Sequence, residues 1–107
     1  MAVSNKPWGT ISESDYGDAN EFCSVCLIDL NQEGRPKVKE LCKLPVKEPG
    51  GAYNRNAIHA AAAALAGARG GVKAPASAKR KAARELVYLY RRLLEEEPPE
   101  AIVRLAK

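Results

Sequence analysis

Cys23, Cys26, Cys42 and His59 are the side chains here whose types and spacing could do chemistry. In chain order they read C-x2-C-x15-C-x16-H, which supplies the four ligands of a Cys3His zinc site. The count suits a metal, but the context is poor. A zinc knuckle sets its cysteine pair on a turn, whereas Cys23 and Cys26 lie among Phe22, Val25 and Leu27 at helical spacing, and His59 follows Ile58 in a second helical segment. Two other readings compete. Free thiols can act as small buried hydrophobes, and Cys42 can form a disulfide with Cys23 or Cys26 in an oxidising setting. The expectation is free thiols and no cofactor, with zinc on Cys23, Cys26, Cys42 and His59 as the metal alternative.

Other catalytic chemistry has little support. The sequence holds no Ser/His/acid set, Walker loop, HExxH or paired-carboxylate motif. Gly67-Ala68-Arg69-Gly70-Gly71 is glycine-rich but lacks the Gly-Lys-Ser/Thr ending of a phosphate loop, and a helix C-cap explains it better. A hydrolase on Cys26 and His59 lacks a third orienting group. The expected chain is not an enzyme.

Charge is the stronger signal. Residues 35–92 hold 14 of the 17 Lys and Arg and three acids, a net +11, while residues 1–34 carry −5 and residues 93–107 carry −2. Such segregation suggests a module with one positive and one negative face. Arg69, Lys73, Lys79, Arg80, Lys81 and Arg84 form the candidate patch for phosphates or an acidic protein; a solvated helix face is the bland alternative. No aromatic is interleaved among these six, so base stacking is not indicated. Binding to nucleic acid would run through the backbone and be strongly salt-dependent.

The elements that must position these groups read as helices. Residues 1–17 form a polar arm whose Trp8 and Tyr16 pack back on the body, and residues 18–107 form a single helical domain. Asp18 to Leu30 reads as a first helix, capped by Asp18 with Glu21 three residues on. Lys37–Val46 mixes a short helix with an extended piece, and Pro45 argues against a central strand. Asn54 or Asn56 caps the second helix, which carries the stripe Ala57, Ile58, Ala61, Ala62, Leu65 and Ala66 and is terminated by Gly67, Gly70 and Gly71. The third runs from an N-cap at Ser77 to Glu96, facing Ala83, Leu86, Val87, Tyr90, Leu93 and Leu94 inward. A last short helix follows Pro99. The expected fold is compact and all-α: three main helices, a short C-terminal helix, and at most a short β-hairpin near residues 41–53.

The third helix is charged against its dipole. Lys79, Arg80 and Lys81 lie near its start and Glu95, Glu96 and Glu97 at its end, each placement costing roughly 0.3–1 kcal/mol. Pairs such as Lys81–Glu85, Arg91–Glu95 and Arg92–Glu96 return roughly 0.2–0.5 kcal/mol each. A partner is one reason to keep such a pattern.

One sequence pattern is familiar. Leu44-Pro45-Val46-Lys47-Glu48-Pro49-Gly50-Gly51, Asn54-Arg55-Asn56-Ala57-Ile58-His59 and Ala64-Leu65-Ala66-Gly67-Ala68-Arg69-Gly70-Gly71-Val72 are similar to a small helical segment of tailed-bacteriophage proteins. That segment occurs near, or fused to, head-maturation protease and capsid-assembly genes. Ala82-Ala83-Arg84-Glu85-Leu86, Leu89-Tyr90-Arg91, Pro98-Pro99-Glu100 and the opening with Asp15-Tyr16 and Phe22-Cys23 also fit, so the likeness spans about residues 8–105. It implies a viral or prophage origin and a structural or assembly-associated role: a minor particle component or head-assembly accessory with protein partners or self-assembly. No catalytic residue transfers. The sequence has no run of about 18 apolar residues to span a membrane and no apolar leader, so cytoplasm or virion is the expected location. The alternative is a basic nucleic-acid-binding accessory protein that uses the 69–84 patch.

Overall fold

The computed structural model describes residues 3–107, with Arg69 described by its backbone alone. Asp18 caps α1 (Ala19–Ser24) by accepting a bond from the Glu21 amide at 2.9 Å. The helix stops at Val25, and the chain goes straight into β1 (Cys26–Asp29). β1 pairs antiparallel with β2 (Cys42–Pro45), Ile28 lying opposite Lys43 and Asp29 opposite Cys42. Bonds from Val46 N to Val25 O (3.0 Å) and from Leu30 N to Leu41 O (2.8 Å) extend the ladder at both ends.

This corrects the all-α expectation: among the described residues the fold is mixed, with four α-helices and a two-stranded sheet. Phe22, Val25, Cys26 and Asp29 fit a helical period, but a short apolar run fits a strand equally well. Pairing with β2 decides for the strand. The partner of β2 is the segment 26–29, not a neighbour within 41–53, where Lys47 and Tyr53 make a single antiparallel bridge. Pro45, which cannot donate, sits at the strand's last position, where it interrupts nothing. Leu44 adopts a left-handed conformation (φ 65°) and its side chain is buried in the core.

α2 (Arg55–Leu65) packs on β2 and on α3 (Ala76–Tyr88), which in turn packs on α4 (Glu100–Leu105) and β1. The buried faces carry small residues, Ala57, Ala61 and Ala62 on α2 and Ala82 and Ala83 on α3, beside the fully buried Ile58, Leu86 and Ile102. Alanine at these positions keeps helix propensity high. α2 ends at Gly67, whose φ of 116° only glycine adopts without strain. A second, smaller cluster gathers Tyr16, Phe22, Cys23, Val25 and Cys42.

α3 starts at Ala76, after an N-cap at Pro75, two residues earlier than a Ser77 cap would place it; Ser77 is its second residue. Beyond Tyr88 the helix widens into a π-helical turn, Leu89–Leu94, and ends at Glu95 in a left-handed conformation (φ 56°).

The N-terminal residues are bound into this body. Ser4 N donates to Tyr53 O at 2.8 Å and Arg55 N donates to Ser4 O at 2.9 Å. Asn54, at 0 % exposure, connects three parts of the chain. Its Oδ1 caps α2 through the Ala57 amide (2.8 Å), and its Nδ2 donates to Glu48 Oε2 (2.8 Å) and to Lys6 O (3.1 Å). Tyr16, also buried, donates its hydroxyl to Lys47 O.

Replacing Asn54 by Ala removes the cap and strips a donor from a buried carboxylate. A loss of about 3 kcal/mol is expected, read as a drop in the urea midpoint; a midpoint unchanged from the parent would refute the anchoring role.

Candidate functional site

Burial of Ala82, Ala83, Leu86, Leu89 and Tyr90 fixes which side of α3 meets solvent. The opposite side exposes Arg80, Lys81, Arg84, Glu85 and Tyr88, and the π-helical turn continues it with Arg91 and Arg92. Five cations therefore share one face with a single acid, over about 18 Å at 1.5 Å per residue. In the middle stands Tyr88, 62 % exposed. A tyrosine four residues after Arg84 and three before Arg91 lies on the same stripe as both. The sequence reading stopped at residue 84 and so missed Tyr88, Arg91 and Arg92; the signal was their spacing of four, seven and eight from Arg84.

Two cations on this side have partners, and one of them is held in place. Arg84 Nε donates to Ala106 O at 2.8 Å, which fixes the guanidinium against the end of α4 and leaves its other N–H groups free to donate outward. Arg91 makes a loose surface pair with Glu97 at 3.6 Å, which is worth little. Arg80, Lys81 and Arg92 make no ion pair among the described residues.

The six predicted cations do not form one patch. Arg80, Lys81 and Arg84 lie together on the α3 face; Lys79 is half-buried beside them. Lys73 instead lines an open cleft of about 620 Å³ floored by Trp8, Tyr16, Phe22 and Leu44. The Arg69 side chain lies outside the described residues.

The acids at the end of α3 are placed by the left-handed turn at Glu95. Glu96 swings back over α2, where it pairs with Arg55 and accepts from His59 Nε2 at 2.8 Å. The His59 ring stacks on Tyr90, with centroids 5.5 Å apart. Glu96 is thus engaged across the fold and not with Arg92, and neither Lys81–Glu85 nor Arg91–Glu95 closes as an ion pair among the described residues.

The predicted metal set is also divided. Cys23 and Cys42 are joined in a disulfide, one of the two pairings left open by spacing, which replaces the free-thiol expectation for this pair. Cys26 remains a thiol and donates to Phe22 O at 3.3 Å. Burial, with the Glu13 and Asp29 carboxylates nearby, pushes that thiol up to about 12, so it is a poor nucleophile toward the disulfide. His59, on α2 with Glu96 and Tyr90, is not brought to the cysteines.

Two outcomes follow. The disulfide spans 19 residues, and a loop of that size restrains the unfolded chain by about 3 kcal/mol. Reduction in metal-free buffer should lower unfolding stability by that amount, measured by denaturant titration with and without a phosphine reductant; equal midpoints would contradict it. The second concerns acid. The His59 hydrogen bond, helped by Arg55, holds Glu96 below its ordinary carboxylate value. A carboxyl that titrates lower when folded contributes its full stabilisation above the unfolded value and loses it as pH falls through the folded one. In His59→Ala the Glu96 carboxyl should titrate at higher pH, seen by carboxyl NMR; an unmoved titration would count against the pairing.

Among the described residues no helix is long and apolar enough to cross a membrane. Comparison with protein-family models, with curated proteins and with solved structures gave no match to this chain.

Proposed function

We propose that this chain is a small non-enzymatic accessory module that binds nucleic acid through the phosphate backbone along the exposed face of α3. The observation that carries this reading is the outward stripe of Arg80, Lys81, Arg84, Arg91 and Arg92 around an exposed Tyr88. Cations spread along a rigid helix suit a regular run of phosphates, which draws on charge and carries no sequence information. Tyr88 adds a flat surface on which an unpaired base can stack. The Arg84–Ala106 bond pre-orders one of the five side chains, which lowers the entropic cost of engaging a ligand.

The setting we propose is a phage or prophage particle, or its assembly in the host cytoplasm. It rests on the likeness of residues 8–105 to the phage segment, and in that setting the accessory role is close to the packaged genome. A second reading is a head-assembly module that docks on a protein partner or on its own copies. The open cleft lined by Trp8 favours it, since its largely apolar lining carries Lys39, Lys43 and Lys73 against Glu13 and Glu40, a net positive charge that suits a weakly acidic apolar peptide.

Binding to a short DNA duplex should weaken steeply with salt, the log–log slope being about −4 for five cations engaged in part. The triple variant Arg80→Ala, Lys81→Ala, Arg84→Ala should shallow that slope by about 3. Tyr88→Ala should weaken single-stranded binding by about 1–3 kcal/mol and leave duplex binding nearly unchanged. Fluorescence anisotropy reads all three. No binding in low-salt buffer would sink the nucleic-acid reading; co-purification with capsids without DNA affinity would transfer the case to the protein-docking one.

A further inference from the structure

Cys23 Sγ, Cys42 Sγ and a carboxylate oxygen of Asp29 all lie within 4.8 Å of one another. Both sulfurs are buried, while Asp29 opens to solvent at the end of β1. One amide nitrogen lies near all three residues, and its two hydrogens can serve two of the neighbouring acceptors at a time. Asn31 Nδ2 lies 2.8 Å from Asp29 Oδ1, 3.3 Å from Cys42 Sγ and 3.6 Å from Cys23 Sγ. That amide is itself held, because Asn31 Oδ1 accepts from Val38 N at 2.8 Å and Nδ2 reaches Val38 O at 3.3 Å. Lys37 pairs with the other oxygen of Asp29.

We infer that, once the disulfide is reduced, Cys23, Cys42 and Asp29 form a Zn2+ site with its fourth position open to water. The reduction needs a dithiol or phosphine donor. With a dithiol, its two thiols become a disulfide and the Cys23–Cys42 bond becomes two thiols, two electrons and two protons passing to the protein. Zn2+ then replaces the two thiol protons, which leave to solvent, and takes a carboxylate oxygen from Asp29.

Three features argue for this set over the Cys3His set of the sequence. The pairing of strands already places Cys42 opposite Asp29, with Cys23 delivered by the end of α1. Two thiolates and a carboxylate match the N, S and O donors that zinc accepts at tetrahedral sites. An N–H donor to a ligand carboxylate or sulfur is the outer support that metal sites use to orient their ligands, and Asn31, 2.8 Å from Asp29 Oδ1 and 3.3 Å from Cys42 Sγ, can supply it before any metal arrives. Without a cation, the reduced cysteines are no longer joined, and the loop 30–41 loses its covalent tie. The cation restores that tie, so metal and disulfide are alternative locks on the same two residues.

The test titrates Zn2+ into the full chain in its oxidised form and after phosphine reduction, with Co2+ as the coloured substitute and circular dichroism following the fold. One Zn2+ per chain is expected in the reduced form and none in the oxidised form, with thiolate-to-cobalt charge transfer. Asp29→Asn should weaken reduced-state affinity at least tenfold, while Cys26→Ser and His59→Ala keep both stoichiometry and affinity. Equal uptake by both redox forms overturns the proposal. So does loss of uptake in Cys26→Ser or His59→Ala, which returns the Cys3His set, or an Asp29→Asn affinity equal to the parent's. A reduced chain that takes up no Zn2+, or that stays unfolded with Zn2+ present, overturns it too.

Discussion

The close contact between α2 and α3 is the constraint from which the rest of the molecule follows. The faces these helices bury carry small residues, Ala57, Ala61, Ala62, Ala82 and Ala83, and small residues bury little apolar area each. The core must then be completed by Ile58, Leu86 and Ile102 and by the sheet beneath. A helix that spends one side on so narrow a contact has its other side determined, and in α3 that side is where the arginines and lysines accumulate. Positive charge at the start of α3 opposes its dipole, so the pattern persists against local helix preference. That asymmetry weighs in favour of a partner for the charged side.

Around this contact, buried polar groups connect segments that the apolar core leaves apart. Asn54 ties the N-terminal residues, the turn before α2 and α2 itself through one side chain. Glu96 performs the equivalent task at the surface, joining the end of α3 to α2 through Arg55 and His59. The disulfide secures the remaining piece, the long loop between β1 and β2. Each connection includes a link between residues distant in sequence, and at the buried Asn54 a missing partner would cost free energy.

Local features were readable from the sequence, and non-local ones were not. The α2 stripe and its asparagine cap, the glycine stop at Gly67 and the inward side of α3 follow from spacing and capping chemistry within one or two turns. The switch from α1 to β1 could not be read in this way. Val25 to Asp29 satisfies a helical period, and the decision for a strand is made by Cys42–Pro45, sixteen residues on from each partner on average. Likewise Cys23 and Cys26 were equivalent partners for Cys42 until the chain turned between them. For the charged face, the patch was traced by proximity in sequence, which joined Lys73 to Arg80. Three-dimensional proximity instead joins Arg80 to Arg92 and gives Lys73 to the cleft.

The π-helical turn Leu89–Leu94 carries one residue more per turn than the helix before it. A wide turn of this kind behaves like an inserted residue that the helix has absorbed without breaking. It changes the rotational phase of everything downstream, so Arg91 and Arg92 are presented side by side while Leu94 still reaches the core. It also determines where Glu95 can reverse the chain. The length of this segment is therefore less tolerant than its composition. Exchanging one aliphatic side chain for another leaves the phase intact, whereas deleting a single residue would turn the two arginines and Glu96 together, altering the outer face and the bond to α2 in one event.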